Sequence, residues 1–254
     1  MIEKTLQTGS LAALLTLIEQ LPGAQGHLFR GQHDAAWHLV PNLYRLTPNI
    51  HGASVAHNYD VFEAELIDRF FQEGLPYLPA ISRSYSNDRA LAQHFGVPTR
   101  LLDWSEDPLV AAFFAVEKWD TSTDAAIFMI LPEARFKPEH VRSFNSVQSV
   151  AFRPPAIDRR IPAQRSVFTF HPHEPKDEPF VPLDQRPEIG GRISNPNGMG
   201  GVARGFAKIV IPQGIKRQLF QRLLQIGTDR RNLFPGLDGV GTDMAARARA
   251  DQLL

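Results

Sequence analysis

The chain has 254 residues, 27 Lys+Arg against 27 Asp+Glu, 43% hydrophobic residues and no cysteine. This is length enough for one large domain with a sizeable core, and the balanced charge exerts no global pull on nucleic acid or an anionic membrane. The missing cysteine excludes disulfides, thiolate metal sites and a cysteine nucleophile, and fits a reducing cytoplasm.

In chain order, Ser10 to Leu21 places Leu, Ile and Ala at helical spacing behind a serine cap, predicting an amphipathic helix stopped by Pro22-Gly23. His27 to Gly31 reads as a short strand ending in Arg30 and a glycine. Trp37 to Tyr44 alternates apolar residues around Pro41, Arg45 closes it, and residues 47–54 form a polar loop. Val61 to Phe71 has helical periodicity with Glu63, Glu65, Asp68 and Arg69 interleaved. Asn87 to Phe95 predicts a second helix.

The stretch from Gln93 to Trp119 mixes the most polar and the most apolar residues of the chain. Thr99 to Leu102 has strand character. Ser105 is placed to cap a helix whose first turn holds Glu106 and Asp107, where carboxylates suit the dipole, and Pro108, whose missing N–H costs little there. Leu109 to Val116 is apolar on every side, so this helix is expected to be buried all round.

Ala125 to Leu131 is a continuous apolar run of strand length, expected to be buried on both faces. Pro138 to Asp158 has no clear period. Gln164 to Phe170 alternates as a half-buried strand, and residues 172–201 form a surface excursion rich in Pro, Gly and charge. Gly205 to Pro212 is another strand, Gly214 to Ile226 a helix stopped by Gly227, and a turn from Asn232 to Gly239 leads to a last helix from about Thr242. No repeat or linker divides the chain, so residues 1–254 are taken as a single α+β domain. No stretch is long enough for a membrane span, Met1-Ile2-Glu3-Lys4 opens no signal peptide, and no membrane partner is expected. No His-x-x-x-His pair occurs, and His171 and His173 lie between prolines, so no metal is expected.

Several blocks together resemble the FRG family, named for its Phe-Arg-Gly motif. They are Phe29-Arg30-Gly31-Gln32, Pro41-Asn42-Leu43-Tyr44-Arg45, and Gln93 through Trp104 with Pro108 and Ala111 to Ala115. Gln164 to Thr169 and Leu233 to Gly239 resemble later segments of that family, so the likeness runs from roughly Ser10 to the C-terminus. The order of an Arg-Gly strand, a threonine strand, a buried helix and a strand begun by Gln164 also resembles ADP-ribosyltransferases of the Arg–Ser–Glu type. That resemblance implies split mixed or antiparallel sheets flanked by helices. It also implies an Arg gripping NAD, a Ser or Thr shaping the nicotinamide pocket, and a Glu opening a later strand to hold the ribose.

The residues supply a chemical logic beside the resemblance. Cleaving the nicotinamide–ribose bond develops an oxocarbenium-like cation, so the ribose must be oriented and water excluded. Arg30 offers a planar fork of donors to a diphosphate, with Gln32 beside it, and Gly31 permits close backbone approach. On the resemblance to the transferases, Thr99 would stand by the carboxamide and Gln164 by a ribose hydroxyl, where its neutral amide departs from those transferases' Glu. Asp103, then Glu65, are the candidates to supply negative charge, and His94 is the candidate catalytic histidine.

Arg45, Arg100 and Trp104 are further candidate nucleotide contacts. Each also has a structural reading, as does Arg30 paired with Asp103: ion pairs for Arg45 and Arg100, a core aromatic for Trp104. The expected function is an ADP-ribosyltransferase-like enzyme using NAD as co-substrate, in a cytoplasmic toxin or phage-defence setting, with a protein or nucleic-acid acceptor or with water. The competing expectations are a nucleotide or single-stranded nucleic-acid binding module, and a nuclease built on Asp103, Glu106 and Asp107.

Overall fold

Alternating and continuous apolar runs become the strands of one mixed sheet, and the helical periods become helices packed on it. The computed structural model describes residues 1–21, 26–46, 55–78, 83–132, 135–136, 150–171, 179–186 and 205–250. Strands are β1 (Ile2–Thr5), β2 (Leu28–Gln32), β3 (Leu101–Ser105), β4 (Ala125–Leu131), β5 (Arg135–Phe136), β6 (Val150–Phe152), β7 (Ser166–Phe170) and β8 (Gly205–Ile211). Helices are α1 (Leu11–Glu19), α2 (Val55–Gly74), α3 (Tyr85–His94), α4 (Pro108–Val116), α5 (Arg160–Ala163), α6 (Gln213–Gln225), α7 (Arg230–Leu233) and α8 (Leu237–Arg249). The class is α+β.

The strand order is β1-β8-β4-β2-β3-β7-β6-β5, with β1 parallel to β8, β5 parallel to β6, and the other pairs antiparallel. The resemblance implied split mixed or antiparallel sheets; the eight strands among the described residues instead form one mixed sheet. It nearly breaks in the middle, because β2 and β3 share only the pair Phe29↔Ser105, whereas β2 pairs with β4 along its whole length and β3 with β7 likewise. This near-break positions the site.

Strand β4 matches the expected span, and the register explains its composition. Ala125, Ile127 and Met129 face one core, with Ala207, Ile209 and Ile211 of β8, Phe29 of β2 and helices α1, α4 and α6. Ala126, Phe128 and Ile130 face a second core, with Leu28, Leu102, Trp104 and Val167 beneath Leu39 and Leu183. A strand buried on both faces leaves no position for a polar residue.

Helix α4 lies against β2. An added Cβ on Gly31 would stand 1.9 Å from the Ala111 carbonyl oxygen and 2.6 Å from the Ala115 nitrogen. Glycine is therefore required here by helix–strand packing, whatever approach it also allows a ligand. Asp107, not Ser105, caps α4, accepting from the Leu109 N–H at 2.9 Å. Pairing with β7 carries β3 on to Ser105, so the strand starts after Thr99 and Ser105 is its last residue. The Ser105 hydroxyl accepts from the Asp107 N–H at 2.9 Å and donates to the Gln164 carbonyl at 2.7 Å.

Other boundaries also move. Ser10 precedes α1, but its backbone carbonyl, not its hydroxyl, accepts from Leu14. Gln164 is not the first residue of β7: it ends α5, Arg165 follows at φ +48°, and pairing begins at Ser166. Helix α8 starts at Leu237 rather than near Thr242, because Gly236, Gly239 and Gly241 give helical residues the look of a turn. Strand β1 was not anticipated: all four residues are exposed, so no apolar face betrays it. Helix α6 does end at Gly227, whose φ of +81° suits the left-handed stop.

Within the expected excursion over 172–201, Leu183 packs inward: it is buried and its N–H donates to the Leu39 carbonyl. Residues 172–178 (His173 among them) and 187–201, the Pro22-Gly23 stop, the 47–54 loop and residues 138–149 lie outside the described residues. Among the described residues no helix is long and apolar enough to cross a membrane.

Candidate functional site

Where β2 and β3 part, a cleft of about 340 Å³ opens between them, walled by α4 and by the residues around Gln164 and Phe234. The sequence dictates this locally: Gly31 draws α4 onto β2, and the break in the ladder exposes the edges of both strands.

Arg30 spans the break. Its Nη1 donates to the Asp103 carbonyl oxygen at 2.8 Å and stands 3.7 Å from the Asp103 carboxylate. Nε is buried without a partner among the described residues. Burial pushes the guanidinium below its ordinary value, with Asp103 opposing and Arg45 adding repulsion; an arginine remains a cation through such a shift.

Asp103 is exposed within the cleft and held from behind. Gln93 Nε2 donates to its Oδ1 at 2.7 Å, and the Gln93 carbonyl accepts from the Thr99 hydroxyl. Thr99 Oγ1 accepts the Leu101 N–H at 3.2 Å, so its proton is free for Gln93 and the amide nitrogen is turned toward Asp103. Thr99 thus acts at one remove. It is fully buried and does not line the cleft; the strand hydroxyls that do are those of Ser105 and Ser166.

Arg100, next to Thr99, belongs to a buried cluster. The fully buried Glu63 accepts from Arg89 Nε at 2.9 Å, Arg100 Nε at 2.6 Å and the Arg100 N–H at 2.9 Å, while Arg100 Nη2 reaches Asp60 at 2.7 Å. Burial opposes the Arg100 charge, yet Glu63 and its neighbours hold the pKa above the ordinary value. Arg100 is thus an ion-pair residue of the core that fixes the entry to β3.

Of the sequence candidates, Arg30, Gly31, His94, Asp103, Trp104 and Gln164 line one cleft. Thr99, Arg100, Gln32, Arg45 and Glu65 do not. Gln32 is 4% exposed, and Arg45 donates from Nε to the Val40 carbonyl at 3.2 Å beside a separate hollow with Trp37 and His38. Glu65 is on the exposed face of α2, opposite in role to the buried Glu63. Trp104 touches the cleft but is 3% exposed, its indole N–H donating to Thr169 at 2.8 Å, which leaves no free ring face to stack on a base. Gln164 donates from Nε2 to the Leu233 carbonyl at 3.0 Å, tying the cleft wall to α7. His94 Nε2 stands 3.2 Å from the Asp158 carboxylate. Glu106 pairs with Arg153 and Asp107 caps α4, so Asp103, Glu106 and Asp107 have separate duties rather than forming a nuclease site.

Sequence reading missed Gln93, Ser105, Phe114, Glu117 and Phe234 as lining residues. Phe114 and Glu117 carried a signal, standing three apart on one side of α4. Phe234 stood in a block that resembles the family, but its place in the cleft is set by the far end of the chain folding back.

Residues 25–124, which run from just before β2 to the start of β4, match the model of the FRG domain. No curated protein and no solved structure matches the chain.

Proposed function

We propose, from the premise that residues 25–124 match the FRG domain model, that the cleft binds NAD and cleaves the nicotinamide–ribose bond, passing ADP-ribose to an acceptor or to water. The carrying observation is convergence: Arg30 of β2, Asp103 and Ser105 of β3 and Gln164 ahead of β7 line one cleft at the near-break of the sheet, with α4 behind them.

The chemistry fits that reading in outline. Arg30 presents a fixed cation to a phosphate or a ribose oxygen. Val110, Ala111 and Phe114 offer an apolar wall to an aromatic ring. As the C1′–N bond breaks, its electron pair leaves with nicotinamide and positive charge grows on the ribose. The Asp103 carboxylate supplies the compensating charge that the neutral Gln164 amide lacks. The nucleophile adds to C1′ and gives up its proton to Asp103 or to solvent. About 340 Å³ is at the low end of ligand cavities, enough for the nicotinamide riboside half, with the adenosine half extending outward. The alternative of single-stranded nucleic-acid binding needs an aromatic platform, and the burial of Trp104 weakens it.

The test is to incubate the purified chain with NAD, follow nicotinamide release by chromatography and binding by calorimetry, and repeat both with Arg30→Ala and Asp103→Asn. Release that falls by about a hundredfold or more in either variant, an effect of the size one charged group commonly has on a transition state, supports the reading. Neither binding nor release by the wild-type chain removes it.

A further inference from the structure

We propose that Glu117 is the specificity residue of this cleft, accepting a hydrogen bond from an amide or amino N–H on the ring end of the ligand and repelling a carboxylate there. The inference rests on reading the cleft as an NAD site and deepens that reading.

The cleft-facing side of α4 is a single stripe. Val110, Ala111 and Phe114 are apolar, and the stripe ends at Glu117, the residue that closes the helix. From Val110 to Glu117 it runs about 10 Å along the axis, the length of one flat ring with its substituents. A planar ring lying along the stripe therefore ends against a carboxylate.

Two observations separate Glu117 from an ordinary surface acid. It stands at the C-terminal end of a helix, where the dipole disfavours negative charge, so helix stability gives no reason for a carboxylate there. Its charge is then held in place. Arg230 Nε and Nη2 both donate to Oε2, at 3.1 and 2.8 Å. Oε1 has no partner among the described residues, while the side chain is only 16% exposed and lines the cleft. Arg230 is itself fixed, its guanidinium 4.7 Å from the centre of the Phe234 ring. One carboxylate oxygen is thus clamped, and the other, without a partner among the described residues, belongs to a side chain that lines the cleft. An acceptor without a donor of its own selects a ligand donor, and leaving it unmatched or opposed by another carboxylate costs affinity.

Nicotinamide and nicotinate are the probes, since they differ only in presenting an amide or a carboxylate. Affinities for both are measured by calorimetry on the full chain and on Glu117→Gln, alongside nicotinamide release from NAD. The wild-type chain is expected to bind nicotinamide at least about tenfold tighter than nicotinate. Glu117→Gln, which can turn its amide to meet either probe, is expected to bring that ratio to within about threefold while unfolding at nearly the same temperature. A wild-type ratio near one, a preference for nicotinate, or a ratio unchanged in Glu117→Gln overturns the assignment; the wild-type ratio decides even if the variant fails to fold. NAD cleavage with a flat ratio sinks the role of Glu117 and leaves the enzyme reading standing. The expected ratio without NAD cleavage does the reverse, and no binding of any probe removes both.

Discussion

Arg30 donates from Nη1 to the Asp103 carbonyl oxygen at 2.8 Å, just where β2 and β3 have stopped pairing after Phe29↔Ser105. A side chain has taken over where the ladder between the strands stops. The break in the sheet is thereby held open and satisfied at once, and the residue that does so is a cation facing the cleft. The same arginine serves the fold and, on the reading above, the ligand.

Replacing Arg30 by Lys tests whether the fork matters as well as the charge. An ammonium is a point donor on a flexible stem and cannot span carbonyl and carboxylate in a fixed plane. Arg30→Lys is expected to lose about 1–2 kcal/mol in urea unfolding and most NAD turnover. Wild-type behaviour in both measurements would show that charge alone suffices.

Gly31→Ala forces a methyl group to within 1.9 Å of the Ala111 carbonyl oxygen, a backbone atom that cannot swing aside. Helix α4 must move off β2, and overpacking of this kind costs about 3 kcal/mol or more. Thermal unfolding should drop by many degrees, or the variant should fail to accumulate. A stability within experimental error of wild type would contradict the packing argument.

Among the described residues, Glu63 is the one carboxylate shared by Arg89 and Arg100. Substitution by Gln leaves two buried guanidinium groups facing a neutral amide, and breaking a buried pair in this way costs about 3–5 kcal/mol. Because Arg100 leads into β3, the loss should also loosen Thr99, Gln93 and Asp103. Amide hydrogen exchange is expected to speed up at Leu101 and Leu102 in any Glu63→Gln that still folds. Unchanged protection there would show that β3 is held by its pairing with β7 alone.

His171 is buried without exposure and shares a hydrogen bond with Thr169, which also accepts from Trp104. Burial, then Arg186 and Arg30, push its pKa from 6.5 down to about 3. Between those values the unfolded chain binds a proton that the native state refuses. Stability from this group is therefore complete above pH 6.5 and is lost progressively as the pH falls toward 3. Urea unfolding across that window should show a slope of up to about 1.4 kcal/mol per pH unit from this histidine, and His171→Asn should remove that part of it. Identical slopes in the two proteins would show that His171 does not stay neutral in the fold.

Elements whose burial is written into their own composition are legible in the sequence alone. The run Ala125 to Leu131 is apolar at each position because both faces of β4 are covered, and Leu109 to Val116 because α4 is wedged between sheet and helix α6. The α+β class followed from such local periods. Strand β1, exposed at all four residues, had no period to read, and α8 was obscured by glycines that packing tolerates.

The chemical side chains divide in the same way. Composition and motif put Arg30, Asp103, His94 and Gln164 forward, and these meet in the cleft. The same reasoning put forward Thr99, which lies behind Gln93, and Arg100, which Glu63 holds in the core. It missed Glu117 and Phe234. Residue type says what a side chain is able to do, and periodicity says which face it takes. Which strands become neighbours is settled by pairing between segments such as Arg30 and Asp103, 73 residues apart. That pairing also set where the ladder breaks, and no local pattern encodes the position of a break between two strands so distant along the chain.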